Sequence, residues 1–344
     1  MRLATPRAWY SREGLGLRAL RLALLPLGWV WAAATARRLK RGAAFDPGVP
    51  VICVGNLTLG GSGKTPVVRA IAEVLGARGV AAHILLRGHG GRARGPLRVD
   101  LMRHTADEVG DEALMLAASA PVWVARDRAA GARAAVEAGA DVVVLDDGHQ
   151  NPTVTKTLSL IVVDGETRDG EWPFGDGSVF PAGPLREPVR TGLERADAVI
   201  LLLPADLDAP DPRLLAALEG PPILIARLEP LQTPPQGPLL AFAGIGKPWR
   251  FARALEAAGA DLVDVAPLPD HAPLTPALMT ALTQRAKALG ARLVTTEKDA
   301  TRLPPAWRAE VLVWPVSARF EDEDAASGLW RRVLEPSRRE IPMG

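Results

Sequence analysis

Residues 55 to 66 read GNLTLGGSGKTP, directly after the apolar run Val51–Val54 and directly before an amphipathic helical pattern. The spacing G-x-x-x-x-G-K-[ST] of a phosphate-cradling loop is met at Gly63, Lys64 and Thr65, with Thr58 in place of the first glycine. Gly60, Gly61 and Gly63 let the backbone turn its N–H groups inward around a phosphate, and a helix N-terminus adds positive potential there. Thr58, Leu59, Gly60, Gly61, Ser62, Gly63, Lys64 and Thr65 form the expected nucleotide-binding set. Lys64 would reach the β- and γ-phosphates, and Thr65 would ligate Mg²⁺. The chemistry this implies is phosphoryl transfer from ATP.

Other reactive side chains stand in short runs. VVVLDDGHQ ends an apolar strand in Asp146 and Asp147, which either hold Mg²⁺ at the carboxyl end of a strand or form a solvated Asp-Gly turn. GDEALML opens a helix with Asp111 and Glu112, where carboxylates stabilise the N-terminus whatever the function. His271 lies in PDH, after a strand far along the chain, and spacing alone does not pair it with Asp111. PAGPLREP carries Arg186 and Glu187 in a rigid loop that can present a guanidinium to phosphate. TTEKDATRL puts Glu297, Lys298, Asp299 and Arg302 just after a strand, and LLRGHGGRARGPLR interleaves arginine with glycine in a basic loop.

The elements that must position these residues alternate short apolar runs with longer helical patterns, as in a parallel sheet with helices on both faces. Expected strands are Val51–Val54, Ala82–Leu86, Val122–Ala125, Val142–Leu145, Leu160–Val163 and Ala198–Leu203, with helices over Pro66–Leu75 and Asp107–Ala118. A proline-rich stretch, Pro204–Pro238, reads as a linker broken by a strand-like run at Ile223–Arg227. A second, smaller α/β unit follows, with strands at Leu239–Ala243, Leu262–Val265, Arg292–Thr295 and Val311–Pro315, and helices at Trp249–Ala258 and Thr275–Leu289. The expected division is 1–45, an apolar N-terminal helix; 46–220, a nucleotide-binding domain; and 221–344, a second domain. At 344 residues and 48% hydrophobic, the chain can bury two cores. A net charge of only +2 carries no polyanion-binding signature, which argues against nucleic acid. The single cysteine, Cys53, excludes an internal disulfide.

In the first 45 residues Arg2, Arg7, Arg12, Arg18, Arg21, Arg37, Arg38, Lys40 and Arg41 face one acidic residue, Glu13. The uncharged stretch Leu22–Ala36 between them reaches only about 22 Å, short of the hydrocarbon core, and Pro26 and Gly28 are expected to interrupt it. Trp29 and Trp31 with basic flanks fit a helix lying in the interface of the cytoplasmic leaflet. A buried core helix and a signal peptide are the alternatives. The basic run after the small residues opposes export.

Taken together, GNLTLGGSGKTP, LRGHGG, VGDEA, LDDGHQ, PAGPLRE, PDH and TTEKDATRL resemble, in order, the motifs of the tetraacyldisaccharide 4'-kinase family of lipid A biosynthesis, over nearly the whole chain. The resemblance implies transfer of the γ-phosphate of ATP to the 4'-hydroxyl of a tetraacylated glucosamine disaccharide 1-phosphate at the cytoplasmic face of the inner membrane, with no obligate protein partner. It implies Asp111 as the base, oriented by His271, with Thr65, Asp147 and Glu187 around Mg²⁺ and nucleotide. It further implies that the N-terminal helix docks on the membrane. Departures are His89 for tyrosine, His149 for an aromatic residue, Asp176 for asparagine and Ala113 for proline. Two other readings are a membrane-associated GTPase switch, for which an N-K-x-D string is missing, and a soluble small-molecule kinase with a core N-terminal helix.

Overall fold

A computed structural model describes residues 9, 15–41 and 44–334. Arg2, Arg7, Arg12 and Glu13 of the basic N-terminal segment lie outside the described residues. The strands in chain order are β1 Val51–Gly55, β2 Ala82–Leu86, β3 Leu97–Arg98, β4 Val122–Val124, β5 Val142–Asp146, β6 Leu158–Asp164 and β7 Ala198–Pro204. They continue with β8 Ile223–Pro230, β9 Leu239–Ala243, β10 Leu262–Pro267, β11 Arg292–Thr295, β12 Leu312–Val313 and β13 Val316–Phe320.

Nine of these strands form one sheet in the order β13-β8-β7-β6-β1-β5-β2-β4-β3, and four form another, β10-β9-β11-β12. The large sheet is parallel except at its two edges, where β3 and β13 run antiparallel to their neighbours. β1, β2 and β5 are buried at every position, which is why they read as continuous apolar runs rather than alternating ones. The helix Lys64–Ala77 covers one face with Val67, Val68, Ile71 and Leu75, and Arg128–Glu137 covers the other with Ala132 and Ala135.

Three expectations change. The helix expected over Asp107–Ala118 is two, Ala106–Val109 and Asp111–Ala117, separated by Gly110 at φ 91. A side chain at Gly110 would put its Cβ 2.5 Å from the His89 carbonyl oxygen, so only glycine permits this close approach. The break makes Asp111 the first residue of a new helix. Second, the strand-like run expected inside the linker is present as β8, but it joins the larger sheet beside β7, and β13 returns from the smaller unit to pair with it. The helix Glu323–Leu334 then buries Ala326, Leu329, Trp330 and Val333 in the same core as helix Lys64–Ala77. A division at residue 220 therefore does not follow the sheets, because 223–230 and 316–334 belong to the larger one.

Third, the N-terminal helix runs unbroken over Leu15–Arg41, through Pro26 and Gly28. Twenty-seven residues extend about 40 Å. One proline removes a single i→i−4 hydrogen bond, and Gly28 is needed for packing instead, since a Cβ there would lie 2.9 Å from the Val179 carbonyl oxygen. By length and composition Ala19–Arg41 is long enough and apolar enough to cross a membrane. Leu20, Leu22, Leu27, Trp29, Val30 and Trp31 are exposed along it, which argues against the core-helix alternative.

Candidate active site

β1 delivers the chain into the phosphate loop, and the loop's shape rests on Gly60 and Gly63, whose φ values are 112 and 76. Gly63 immediately precedes the helix, so Lys64 and Thr65 occupy its first turn. Asn56 Nδ2 donates to Thr58 Oγ1 and to the Gly60 carbonyl, both at 3.4 Å. The PAGPLREP segment lies alongside: Leu59 N donates to the Pro184 carbonyl at 2.7 Å, and Arg186 Nε donates to the Thr58 carbonyl at 3.0 Å. Ser62 Oγ is buried beneath the loop with no hydrogen-bond partner.

β5 carries Asp146 and Asp147 to this loop. Asp147, at φ 55, sits 3.5 Å from Lys64 Nζ and 2.7 Å from Arg186 Nη1. Burial would raise its carboxyl, but the two cations outweigh that and hold it well below the usual carboxylate range. Asp146 is the opposite case. It is buried with Oδ1 unpartnered, and burial together with the charges of Glu112 and Asp147, opposed by Lys64 and Arg128, pushes it up to about 7. Arg128, itself buried, donates to the Asp146 and Ala125 carbonyls at 3.2 Å each and is pushed down to about 10 by burial.

Glu187 is buried and already engaged. Arg195 grips both its oxygens at 2.7 and 2.8 Å, and Gln150 Nε2 donates to it at 2.9 Å. Gln150 in turn accepts from Arg186 Nη1 at 3.3 Å, so Glu187 braces the arginine that holds Asp147. No cluster of three or more His, Cys, Asp or Glu with metal-holding geometry occurs among the described residues. A magnesium ion held mainly by nucleotide phosphates needs only one or two protein oxygens. The unpartnered Asp146 Oδ1, beside Asp147 and a helix that begins at Lys64 and Thr65, fits that requirement.

The second unit brings His271 to Asp111 across 160 residues of sequence. His271 Nδ1 lies 2.9 Å from Asp111 Oδ2. Asp111 is an acceptor-only carboxylate when ionised, so Nδ1 carries the proton of this bond. Burial would raise the Asp111 carboxyl, but the hydrogen bond from His271 and the charges of Lys298, His271 and Arg302 bring it down to about 2. Lys298 Nζ stands 3.3 Å from His271 Nε2 and 3.7 Å from Glu112. Two further contacts fasten the units together. Arg69 of the phosphate-loop helix pairs with Glu297 at 2.9 Å, and Lys247 and Arg250 pair with Asp164 at 3.1 and 2.7 Å. A narrow cleft lined by Thr58, Gly61, Ser62, Phe174 and Lys247 opens beside the phosphate loop.

The residues singled out in the sequence thus gather in two groups, Lys64 with Asp146 and Asp147, and Asp111 with His271. Arg195 and Arg128 carry no sequence signal that separates them from surface polar residues, and Gln150 stands in LDDGHQ with no role read for it; only the fold shows them buried or bridging. The departures are accommodated. His149 is buried, bonded to Ser159 Oγ at 3.0 Å and the Gly192 carbonyl at 3.1 Å, and burial pushes it down to about 4, so it serves as a neutral filler. Asp176 caps Ser178 and pairs with Arg21 of the N-terminal helix. Ala113 is core, and His89 is exposed with its ring 6.0 Å from that of His271.

The sequence profile of a family described as tetraacyldisaccharide-1-P 4'-kinase matches residues 20–334. A tetraacyldisaccharide 4'-kinase from Phenylobacterium zucineum is 62% identical over 325 residues, covering 94% of this chain and 98% of its own. One from Caulobacter vibrioides is 57% identical over 333 residues, covering 97% and 99%. The crystal structure of LpxK from Aquifex aeolicus in complex with ATP is similar with a TM-score of 0.71 and 25% identity, covering 92% of this chain and 100% of that one.

Proposed function

From the premise that the chain belongs to the tetraacyldisaccharide-1-P 4'-kinase family, we propose that it transfers the γ-phosphate of ATP to the 4'-hydroxyl of a tetraacylated glucosamine disaccharide 1-phosphate, giving the 4'-phosphorylated lipid A precursor. The observation that carries this beyond nucleotide binding is the 2.9 Å pair of Asp111 and His271, contributed by two different units. In the proposed mechanism the loop amides and Lys64 hold the phosphates, and Asp111 accepts the hydroxyl proton as the new bond from the 4'-oxygen to the γ-phosphorus forms and the bond from that phosphorus to the β,γ-bridging oxygen breaks, ADP leaving. His271 keeps Asp111 oriented, and its Nδ1–H stays with the pair. Asp146, Asp147 and the Thr65 hydroxyl would hold Mg²⁺, which when bound offsets charge on the phosphates; Glu187 supports them through Gln150 and Arg186. Lys64 Nζ stands 3.5 Å from Asp147, so phosphates held at the loop would share that ammonium with the carboxylate.

The acceptor is a lipid, and the helix Leu15–Arg41 supports delivery at a membrane. It exposes Leu20, Leu22, Leu27, Trp29 and Val30 and ends in Arg37, Arg38, Lys40 and Arg41, the composition of an anchor on an anionic surface. The membrane proposed is the cytoplasmic face of the inner membrane, where ATP is available. A guanine-nucleotide switch is disfavoured because Asp299, the final acid of Thr296-Glu297-Lys298-Asp299, the string nearest to N-K-x-D, is fully buried and bonded to Gly244 N, Thr296 and Arg302.

The test is incubation with γ-labelled ATP, Mg²⁺ and a panel of acceptors in detergent and vesicles. Label is expected on acylated disaccharide 1-phosphate. Label on a water-soluble sugar instead, or rapid hydrolysis without acceptor, would refute the assignment.

A further inference from the structure

His271 stands in a left-handed backbone conformation, φ 56, which a side chain bearing a Cβ adopts only when its surroundings hold it there. The turn is held from one side by its own amide, which donates to the Gly244 carbonyl at 3.0 Å. From the other side it is held by Arg302. That guanidinium donates through Nη1 to the Ala272 carbonyl at 2.9 Å and through Nη2 to the Gly244 carbonyl at 3.2 Å, and Nη2 also pairs with Asp299. Asp299, fully buried, accepts from Gly244 N at 3.1 Å and from Thr296 Oγ1 at 2.7 Å, so the arginine's own support is rigid. The remaining donor, Arg302 Nε, is buried without a hydrogen-bond partner and lies 3.8 Å from Asp111 Oδ2, the oxygen that meets His271. One planar group thus grips the carbonyl that follows His271 and the Gly244 carbonyl that receives the His271 amide, and brings its last N–H to 3.8 Å from the carboxylate of the other unit.

We propose that Arg302 is a positioning residue for the acceptor-side pair: its fork holds the His271 turn in its left-handed form and sets the imidazole against Asp111. This rests on Asp111 and His271 being the base and its orienting partner. Every group facing the pair has a separate place. Lys298 and Asp270 approach His271 Nε2, His89 lies beside the ring, and Glu112 pairs with Lys298. Among the described residues, only the Arg302 side chain bonds the backbone of the turn and also stands beside Asp111. A lysine at 302 would keep the charge but could not reach three oxygens in one plane.

The experiment is a double-mutant cycle on the full chain with ATP, Mg²⁺ and acylated disaccharide 1-phosphate. Arg302→Lys is expected to lower kcat about 10-fold or more while KM for ATP stays within about twofold, because a displacement of about 1 Å at the reacting groups suffices for such losses. In the His271→Ala background the same change is expected to have no further effect, since a group acting through His271 has nothing left to position. Arg302→Lys at the wild-type rate, or equal fractional losses in both backgrounds, would overturn the proposal. A loss confined to a lowered melting temperature would overturn it too. Should His271→Ala itself keep full activity, the pair's assignment fails rather than that of Arg302, so the two failures are distinguishable.

Discussion

Replacing Asp146 with asparagine should stabilise the nucleotide-free protein, and more at pH 8 than at pH 5. The carboxyl is pushed from 3.8 up to about 7 by burial and by Glu112 and Asp147. Its folded-state value lies above its unfolded one, so between those limits the folded protein holds a proton that the unfolded chain has released. Stability therefore falls as pH rises from about 4 to about 7 and is flat beyond, the reverse of the usual salt-bridged aspartate. A shift of roughly three units corresponds to about 4 kcal/mol at pH 8, and the part already lost at pH 5 is about 1–2 kcal/mol. Asparagine removes the dependence, giving a differential of about 2–3 kcal/mol, or several degrees in melting temperature. Thermal unfolding of wild type and Asp146→Asn at both pH values measures it. Equal changes at pH 5 and pH 8, or destabilisation confined to pH 8, would refute the origin assigned to the shift. The variant should at the same time turn over slowly, because the carboxylate that lowers stability is the one proposed to hold the metal.

Asp111→Asn and His271→Ala should each lower kcat by about 10² to 10⁴ with KM for ATP little changed, the range for loss of a positioned base, in steady-state kinetics with the lipid acceptor. Arg195→Ala leaves the buried Glu187 with the Gln150 hydrogen bond and the neighbouring His149, and should cost about 2–3 kcal/mol in chemical denaturation, discounted because Arg195 is partly exposed; adding Glu187→Gln should restore most of it. Leu22→Glu with Trp29→Glu should weaken sedimentation with anionic vesicles while leaving turnover of acceptor dispersed in detergent within a few-fold, and unchanged sedimentation would argue against the anchor.

The phosphate loop was legible because its requirements are local: glycines where φ is positive, and a lysine and threonine at the first turn of a helix. The central strands were legible because burial on both faces leaves runs such as Val142–Leu145 unmistakably apolar. Asp111 read as a helix-start acid, and it is one, since Gly110 breaks the helix just before it. Its pairing with His271 depends on how two sheets are set against each other, and no spacing rule reaches that far; family resemblance supplied the pairing, and the 2.9 Å contact agrees with it. β13 escaped notice because Val316–Phe320 carries Ser317 and Arg319 and follows directly on Val311–Pro315, itself read as a strand, and because edge strands tolerate polar residues. Pro26 misled for the opposite reason. A local rule against proline gave way to the helix's packing against Val179 and Arg186, the latter through Trp31 Nε1 at 3.2 Å.

The pairing of β8 with β13 has a consequence for how the molecule can be taken apart. The chain leaves the large sheet through β8 and re-enters it through β13, and the two crossings run side by side. Leu231 N donates to the Pro315 carbonyl, Gln232 Nε2 to the Val313 carbonyl and Trp314 Nε1 to the Gln232 carbonyl, each at 3.0 Å. The smaller unit is therefore an insertion at the tip of a hairpin, carried on a two-stranded stalk. Excising 233–313 and closing the gap with a short turn would leave a complete nucleotide-binding module with a continuous edge hairpin, whereas trimming the chain from its C-terminal end would strip that module of a strand and a helix first.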